Sequence, residues 1–178
     1  MNKIEQKIKV TVNTTEAICP IGEITGKNNI SASKIPVLSC EGACIRGEIA
    51  RLAANIVSKE KDYGRGCHGE MITVPESAIA QWIMRADRVV LIDGCFLRCH
   101  GRIMENILDN KKLVQFDALS HYKKYTDVFH YDDVPEVERK EVAQSVANWV
   151  LESLNGNAAD RCASPCATIN EKSSGCCG

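Results

Sequence analysis

The chain has 178 residues, of which 44% are hydrophobic and 25% are charged, and its formal net charge at pH 7 is -1. This length and apolar content suit one domain with a sizeable core, and the near-neutral charge argues against nucleic acid or an anionic membrane surface as a partner. Because the amino terminus has no uninterrupted apolar run and no long apolar stretch follows, we expect no signal peptide, no membrane span and a cytoplasmic protein.

Ten of the residues are cysteines. In a reducing compartment, clustered cysteines bind metal or perform thiol chemistry more often than they form disulfides. The cysteines therefore direct the search for a function.

Residues 1–34 are predicted to be an appendage made of a strand and a loop. Residues 8–14 alternate apolar and polar side chains as a strand does. Residues 17–33 are rich in Gly, Asn, Ser and Thr, which is typical of a loop. We interpret the lone Cys19 as an ordinary small side chain.

A strand, a turn and a helix follow at the start of the predicted domain, residues 35–155. Residues 35–39 (IPVLS) predict the strand, and the sequence CEGAC predicts a turn that carries Cys40 and Cys44. A helix is predicted over residues 45–59, because its apolar residues fall on one face.

Residues 62–71 (DYGRGCHGEM) predict a turn-rich loop in which glycines flank Cys67 and His68. A helix is predicted around residues 76–86. If a strand in this region is parallel to the others, Cys67 can reach the same end of the sheet as the other thiols.

The strand, turn and helix recur at residues 87–108. Residues 88–92 contain four consecutive branched apolar residues, the pattern of a strand buried on both faces of a parallel sheet. After a break at Asp93 and Gly94, Cys95 and Cys99 repeat the spacing of the first cysteine pair, with Cys99 in the first turn of a helix. Thiols placed there lie at the carboxyl end of the sheet, where α/β proteins bind ligands and helix N-termini favour thiolates.

The remaining residues complete the predicted fold. Residues 112–118 predict a fourth strand and residues 134–154 a closing helix, with residues 122–133 forming a surface loop or, alternatively, a lid. The alternation of strands and helices predicts a three-layer α/β fold, Rossmann-like or flavodoxin-like, with a short, mainly parallel sheet.

A tail is predicted beyond the domain, over residues 156–178, and its small, polar composition is typical of a flexible segment. It carries Cys162, Cys166, Cys176 and Cys177. Either these thiols bind a soft metal and pass it to the domain, or the tail is a non-functional extension.

The five cysteines at the predicted turns are the candidate metal ligands. A structural zinc site needs about four deprotonated ligands and prefers thiolate sulfur. Thiols at the ends of parallel strands can converge on one ion. The candidates are Cys40, Cys67, Cys95 and Cys99, with Cys44 as a further ligand.

Several other donors and an alternative cofactor remain open. His68 and His100 are spare donors, and Asp93 is expected to hydrogen-bond loop amides or a residue that binds the metal. Extra donors could make the site exchangeable or suit an iron-sulfur cluster. The alternative is that the cysteines only pack.

The motifs SCEGAC, GCHG and VVLIDGCFLRC resemble the DGC-domain family, which is regarded as zinc-binding because of its shared cysteines and is named for the Asp-Gly-Cys motif. The resemblance spans residues 35–119 and implies that Cys40, Cys67, Cys95 and Cys99 are metal ligands. Ala43 stands where the first motif often has its second cysteine, so the role of Cys44 stays open.

A second resemblance involves residues 40–46. The pattern C-x5-R is similar to the phosphate loop of low-molecular-weight protein tyrosine phosphatases and arsenate reductases, which implies Cys40 as nucleophile and Arg46 as oxyanion clamp. However, Gly47 replaces the usual serine, and the usual Asp-Pro general acid is missing from the sequence.

These observations lead to one principal prediction. We predict a metal-binding protein that holds zinc through cysteine thiolates at strand ends, for metal sensing, storage or transfer. The alternative is a thiol-dependent enzyme, either phosphatase-like or a redox or iron-sulfur protein.

Overall fold

The computed structural model describes residues 7–156, and within them four strands form a parallel sheet with helices on both faces. The strands are β1 (Ile35–Ser39), β2 (Tyr63–Arg65), β3 (Val89–Asp93) and β4 (Leu113–Asp117). The helices are α1 (Pro20–Ser31), α2 (Ile45–Val57), α3 (His68–Thr73), α4 (Ala78–Arg85), α5 (Cys99–Met104), α6 (Ala118–Tyr122) and α7 (Glu136–Asn155), with a 3-10 turn at Tyr131–Asp133. This architecture confirms the predicted three-layer α/β fold.

The two faces of the sheet bury separate apolar layers, because successive side chains of a strand point to opposite faces. Val37 of β1 and Val90 of β3 pack with α2 and α7, whereas Leu38 and Leu91 pack with α4 and Met104 of α5. Every residue of β3 is buried. The continuous apolar run therefore forms a strand that is buried on both faces of the sheet, as the sequence predicted.

The strand order, β2-β1-β3-β4, creates a crevice between the two central strands. After β1 the chain moves to β2 on one side, and it then returns to form β3 on the other side of β1. In open parallel sheets, ligands bind outside the carboxyl ends of the strands where the order reverses in this way. The ends of β1 and β3 are thus the expected position of a site.

Two predictions for the amino-terminal segment are wrong. Residues 8–14 form no strand and leave Ile8 and Val10 83% and 74% exposed, because no strand within residues 7–156 pairs with them. The predicted loop at residues 17–33 contains helix α1.

Contacts with α4 explain why α1 forms despite its low helix propensity. The Ala78 amide donates a hydrogen bond of 2.7 Å to Glu23 Oε2. A Cβ atom at Gly26 would lie 2.2 Å from the Ile79 nitrogen, so the two helices approach as closely as only glycine allows. The Cys19 sulfur accepts a hydrogen bond from the Gly22 amide at the start of the helix. Tertiary packing therefore stabilises this helix.

Most other predicted elements are confirmed to within a few residues. β2 lies inside the predicted loop at residues 62–71 and α3 begins in it, because a three-residue strand is too short to show a period. The predicted loop at residues 122–133 packs on the start of α2, where the Ile45 amide donates a hydrogen bond of 2.9 Å to the Phe129 carbonyl.

The predicted tail and its four cysteines lie outside the described residues, and the division of the chain at residues 34 and 156 stays a prediction. Within residues 7–156, the helices lack the combination of length and apolar character that crossing a bilayer requires.

Candidate metal centre

The register of the two central strands brings Cys40 and Asp93 side by side. Ser39 of β1 pairs with Ile92 of β3, and the Cys40 amide donates a hydrogen bond of 2.9 Å to the Ile92 carbonyl. Cys40 is 8% exposed and Asp93 is fully buried. The first residue after β1 and the last residue of β3 therefore present a thiol and a carboxyl group to the same crevice.

His100 completes a compact group with these two residues. One potential ligand atom from each of Cys40, Asp93 and His100 lies within 4.8 Å of the other two. Two donors bound to one tetrahedral zinc ion at about 2.0–2.3 Å lie about 3.3–3.8 Å apart. The three donors are thus close enough to bind one ion after a shift of about 1 Å or less for each side chain.

Asp93 holds His100 at this position through the first turn of α5. Its Oδ1 accepts a hydrogen bond of 3.2 Å from the His100 amide, and its Oδ2 accepts one of 3.1 Å from the Gly101 amide. The sequence predicts hydrogen bonds from loop amides to Asp93, whereas the amides that donate to it belong to the first turn of α5. Burial raises the pKa of Asp93, and these two amide hydrogen bonds offset only part of the rise.

The Cys40 thiol is also shifted by its surroundings. Burial raises its pKa, whereas hydrogen bonds from the amides of Gly42 and Gly94 lower it, and the charges of Asp93 and Cys99 raise it again. The net shift is upward. The thiol therefore keeps its proton until a cation replaces it.

A second histidine, His68, borders the group through its contact with His100. His100 Nε2 lies 3.2 Å from His68 Nε2, and the rings meet edge to face with centroids 4.6 Å apart. Burial and the neighbouring His100 lower the pKa of His68, which favours the neutral imidazole. In the part of the chain that the structure describes, His100 Nδ1 is buried and has no hydrogen-bond partner.

These residues fit a zinc ion by two independent criteria. Thiolate, imidazole and carboxylate are the three ligand types that zinc accepts in proteins. The buried, unpartnered His100 Nδ1 is a polar atom for which a metal would supply the missing partner. Zinc bound there would be held by Cys40, Asp93 and His100.

The other predicted ligands occupy different positions around this group. Cys44 precedes α2 and Cys95 follows β3, both half-buried, whereas Cys67 precedes α3 and Cys99 begins α5, both exposed. Within residues 7–156, Cys40 is the one predicted thiol that belongs to the compact group. The full five-cysteine ligand set stays a prediction.

Three of the four remaining thiols influence the pKa of a neighbouring group. Cys99 is close enough to Cys40 to contribute to the rise in the pKa of that thiol. Cys44 and Cys95 instead help burial to raise the pKa of Tyr122, against the opposing charge of Arg46. Of these thiols, Cys99 is the one whose charge acts on Cys40.

Sequence reasoning named Asp93 and His100 but did not choose them as principal ligands. The sequence pattern could have identified Asp93 as a site residue. A carboxylate at the end of a fully apolar strand is buried and so needs a partner. His100 carries a weaker signal, its position beside Cys99.

The glycine of the Asp-Gly-Cys motif has a packing role. A Cβ atom at Gly94 would lie 2.7 Å from both the carbonyl carbon and the oxygen of Arg46. The end of β3 therefore packs directly on the first turn of α2, which keeps the two central turns close together.

The guanidinium group of Arg46 is hydrogen-bonded to two backbone carbonyls. Its Nη2 donates a hydrogen bond of 2.6 Å to the Thr126 carbonyl, and its Nε donates one of 3.4 Å to the Tyr125 carbonyl. The raised pKa of Cys40 is also opposite to that of an activated nucleophile. These contacts give the phosphatase-like alternative no support.

Two surface cavities lie away from the compact group. One, of about 440 Å³, is lined by Lys34, Trp82 and Arg88 near the amino ends of β1 and β3. The other, of about 470 Å³, is lined by His121 and Trp149. Neither cavity is lined by a cysteine.

The fold and this group of donors define a parallel α/β domain whose central strand ends could hold a metal ion. The family model described as DGC domain matches residues 36–147, which include the compact group. Because this match covers more than half of the sequence, the chain belongs to the DGC-domain family. No curated protein and no solved structure matches the chain significantly.

Proposed function

We propose that the protein binds zinc through Cys40, Asp93 and His100 and that the bound ion is exchangeable, as metal sensing, storage or transfer requires. The observation that carries this proposal is the mutual approach of the three ligand atoms to within 4.8 Å. They meet at the crevice between β1 and β3, where parallel sheets bind their ligands.

The donor types favour zinc over the other cations. Calcium and magnesium prefer oxygen ligands alone, whereas a thiolate with an imidazole suits zinc. An iron-sulfur cluster is usually held by four thiolates. The compact group contains one thiol, so zinc is the better match to it.

The number of donors favours exchange. Zinc is four-coordinate in structural sites, and a site with three protein ligands keeps one position open for water or another ligand. We propose that Cys99 occupies this position reversibly, because it is exposed, adjoins His100 and acts on the pKa of Cys40. An incoming acceptor thiol could then replace it.

Metal analysis tests the proposal. The full chain, with its four tail cysteines replaced by serine so that they bind no metal, would be purified anaerobically and analysed for zinc, iron and acid-labile sulfide. We expect about one zinc per chain, because the domain offers one compact donor group. The Cys40→Ser variant should lose it.

Cys19→Ser is the matched control, because it removes a described thiol that caps α1 outside the compact group. It should keep its zinc. Iron with sulfide would assign a cluster protein instead, and an absence of metal under anaerobic conditions with added zinc would overturn the proposal.

A further inference from the structure

His68 stands beside the candidate metal centre without belonging to its compact group. It begins α3, after β2, and so comes from a different part of the sheet than Asp93 and His100. The contact between the two histidines is the 3.2 Å approach of their Nε2 atoms. What this contact does depends on which nitrogen carries the proton.

A hydrogen bond between two ring nitrogens needs one donor and one acceptor. If His68 were the donor, a neutral His100 would carry its own proton on Nδ1. That N–H would be buried without an acceptor in the described residues, which is unfavourable. If His100 is the donor through Nε2–H, its Nδ1 instead has a free lone pair.

The second arrangement suits a metal ligand. A histidine that binds a metal through one nitrogen commonly donates its other N–H to a neighbouring acceptor, which fixes the tautomer and the orientation of the ring. Nδ1 is the ring nitrogen nearer to the backbone, and the backbone amide of His100 is hydrogen-bonded to Asp93. One ring nitrogen of His100 belongs to the compact group, and Nδ1 is the one that the contact with His68 leaves free.

We propose that His68 is a positioning residue, which accepts a hydrogen bond from Nε2–H of His100 and so presents the unprotonated Nδ1 of His100 to zinc. The inference rests on the proposed zinc centre. In this arrangement His100 loses no proton when zinc binds. His68 itself forms no bond to the ion.

Nitrogen NMR of the histidine rings reads the tautomer directly. The sample is the full chain with serine at the four tail cysteine positions, labelled with nitrogen-15 and measured before and after addition of one equivalent of zinc. We expect His100 to carry its proton on Nε2 in the metal-free protein, and zinc to shift its Nδ1 resonance. The Nε2 resonance of His68 should keep the signature of a hydrogen-bond acceptor.

Two substitutions measure what the hydrogen bond contributes to zinc binding. His68→Phe removes the acceptor and should weaken zinc binding about 10- to 100-fold, the usual effect of losing such a partner. His68→Gln keeps an acceptor oxygen and should recover most of that loss. His121→Phe is the matched control, because His121 stacks on Trp149 away from the site, and its zinc affinity should not change.

Three results would overturn the role of His68: a proton on Nδ1 of metal-free His100, a zinc-induced shift of the kind expected for coordination at His68 Nε2, or an unchanged affinity in folded His68→Phe. The spectrum of the unsubstituted domain decides the first two, so the test survives if His68→Phe does not fold. Because the metal-free tautomer is read without zinc, a failure of the zinc centre itself is distinguishable, as it would appear as an absence of zinc binding.

Discussion

The turns after β1 and β3 look alike in sequence and act differently in the structure. Each carries two cysteines at the same spacing, between a central strand and a helix. In the first turn the leading cysteine, Cys40, is buried in the compact group. In the second turn the members of the group are Asp93 and His100, which flank the cysteine pair.

The difference shows that cysteine spacing and strand register carry different information. Spacing matches Cys40 with Cys95, whereas the pairing of Ser39 with Ile92 sets Cys40 level with Asp93. Two potential ligands on neighbouring strands lie close together only when they are at the same position along the strands, and the register determines that position. The two turns therefore supply complementary donors rather than two equivalent thiol pairs.

The largest expected effect is on zinc affinity, when serine replaces Cys40, the leading cysteine of the first turn. The same substitution at Cys95, the leading cysteine of the second turn, is the comparison. Cys40→Ser removes a group member and should lower zinc affinity by more than about 100-fold, beyond the usual loss from a supporting residue. Cys95→Ser should lower it only a few-fold. Competition with a zinc chelator, in the chain with serine in its tail, measures both values. An equal loss in Cys95→Ser would favour the five-cysteine ligand set over the compact group.

Replacing a glycine by alanine should reduce the free energy of unfolding more in the second turn than in the first, because the glycine of the second turn is more tightly packed. Gly94→Ala forces a Cβ atom to 2.7 Å from the Arg46 backbone, and we expect the free energy of unfolding to fall by about 1–3 kcal/mol. Gly42→Ala brings its Cβ atom to 3.3 Å from the Cys40 sulfur and should cost less. Urea unfolding of the metal-free proteins measures these changes.

Gly69→Ala is the control for this pair, because its Cβ atom would meet nothing within 4 Å. Alanine also favours a helix more than glycine does. Stability should therefore stay the same or rise slightly, and a loss as large as that of Gly94→Ala would contradict the packing explanation.

A third expected effect is the dependence of zinc affinity on pH. The pKa of Cys40 is raised, so below it the metal-free protein holds a proton that zinc must displace. Apparent affinity should then rise about tenfold for each pH unit between pH 6 and 8, if about one proton is released. Titrations at several pH values in non-coordinating buffers measure the slope.

The same titration compares the two turns once more. Cys40→Ser removes the titrating thiol, so its remaining affinity should depend on pH less steeply, by about one proton. Cys95→Ser should keep the slope of the parent protein. Identical slopes in all three proteins would show that Cys40 is not the source of the proton.

The central elements could be predicted because their burial leaves a local pattern. β3 is an apolar run between polar breaks, and α2 repeats its apolar residues on one face. β2 has three residues and α1 depends on α4, so neither leaves a usable pattern of its own. The errors therefore fall where stability comes from distant contacts.

For the candidate site, the sequence alone determined that thiols lie at the carboxyl end of a parallel sheet, since strands, glycine turns and helices alternate along the chain. It also placed Cys40, Asp93 and His100 among the available donors. The tertiary structure decided which donors meet, through the register of β1 with β3 and the packing of Gly94 on α2. The physical reason is that a metal ion binds only where several donor atoms lie within a short distance of one another. These distances depend on contacts between residues that are far apart in the chain.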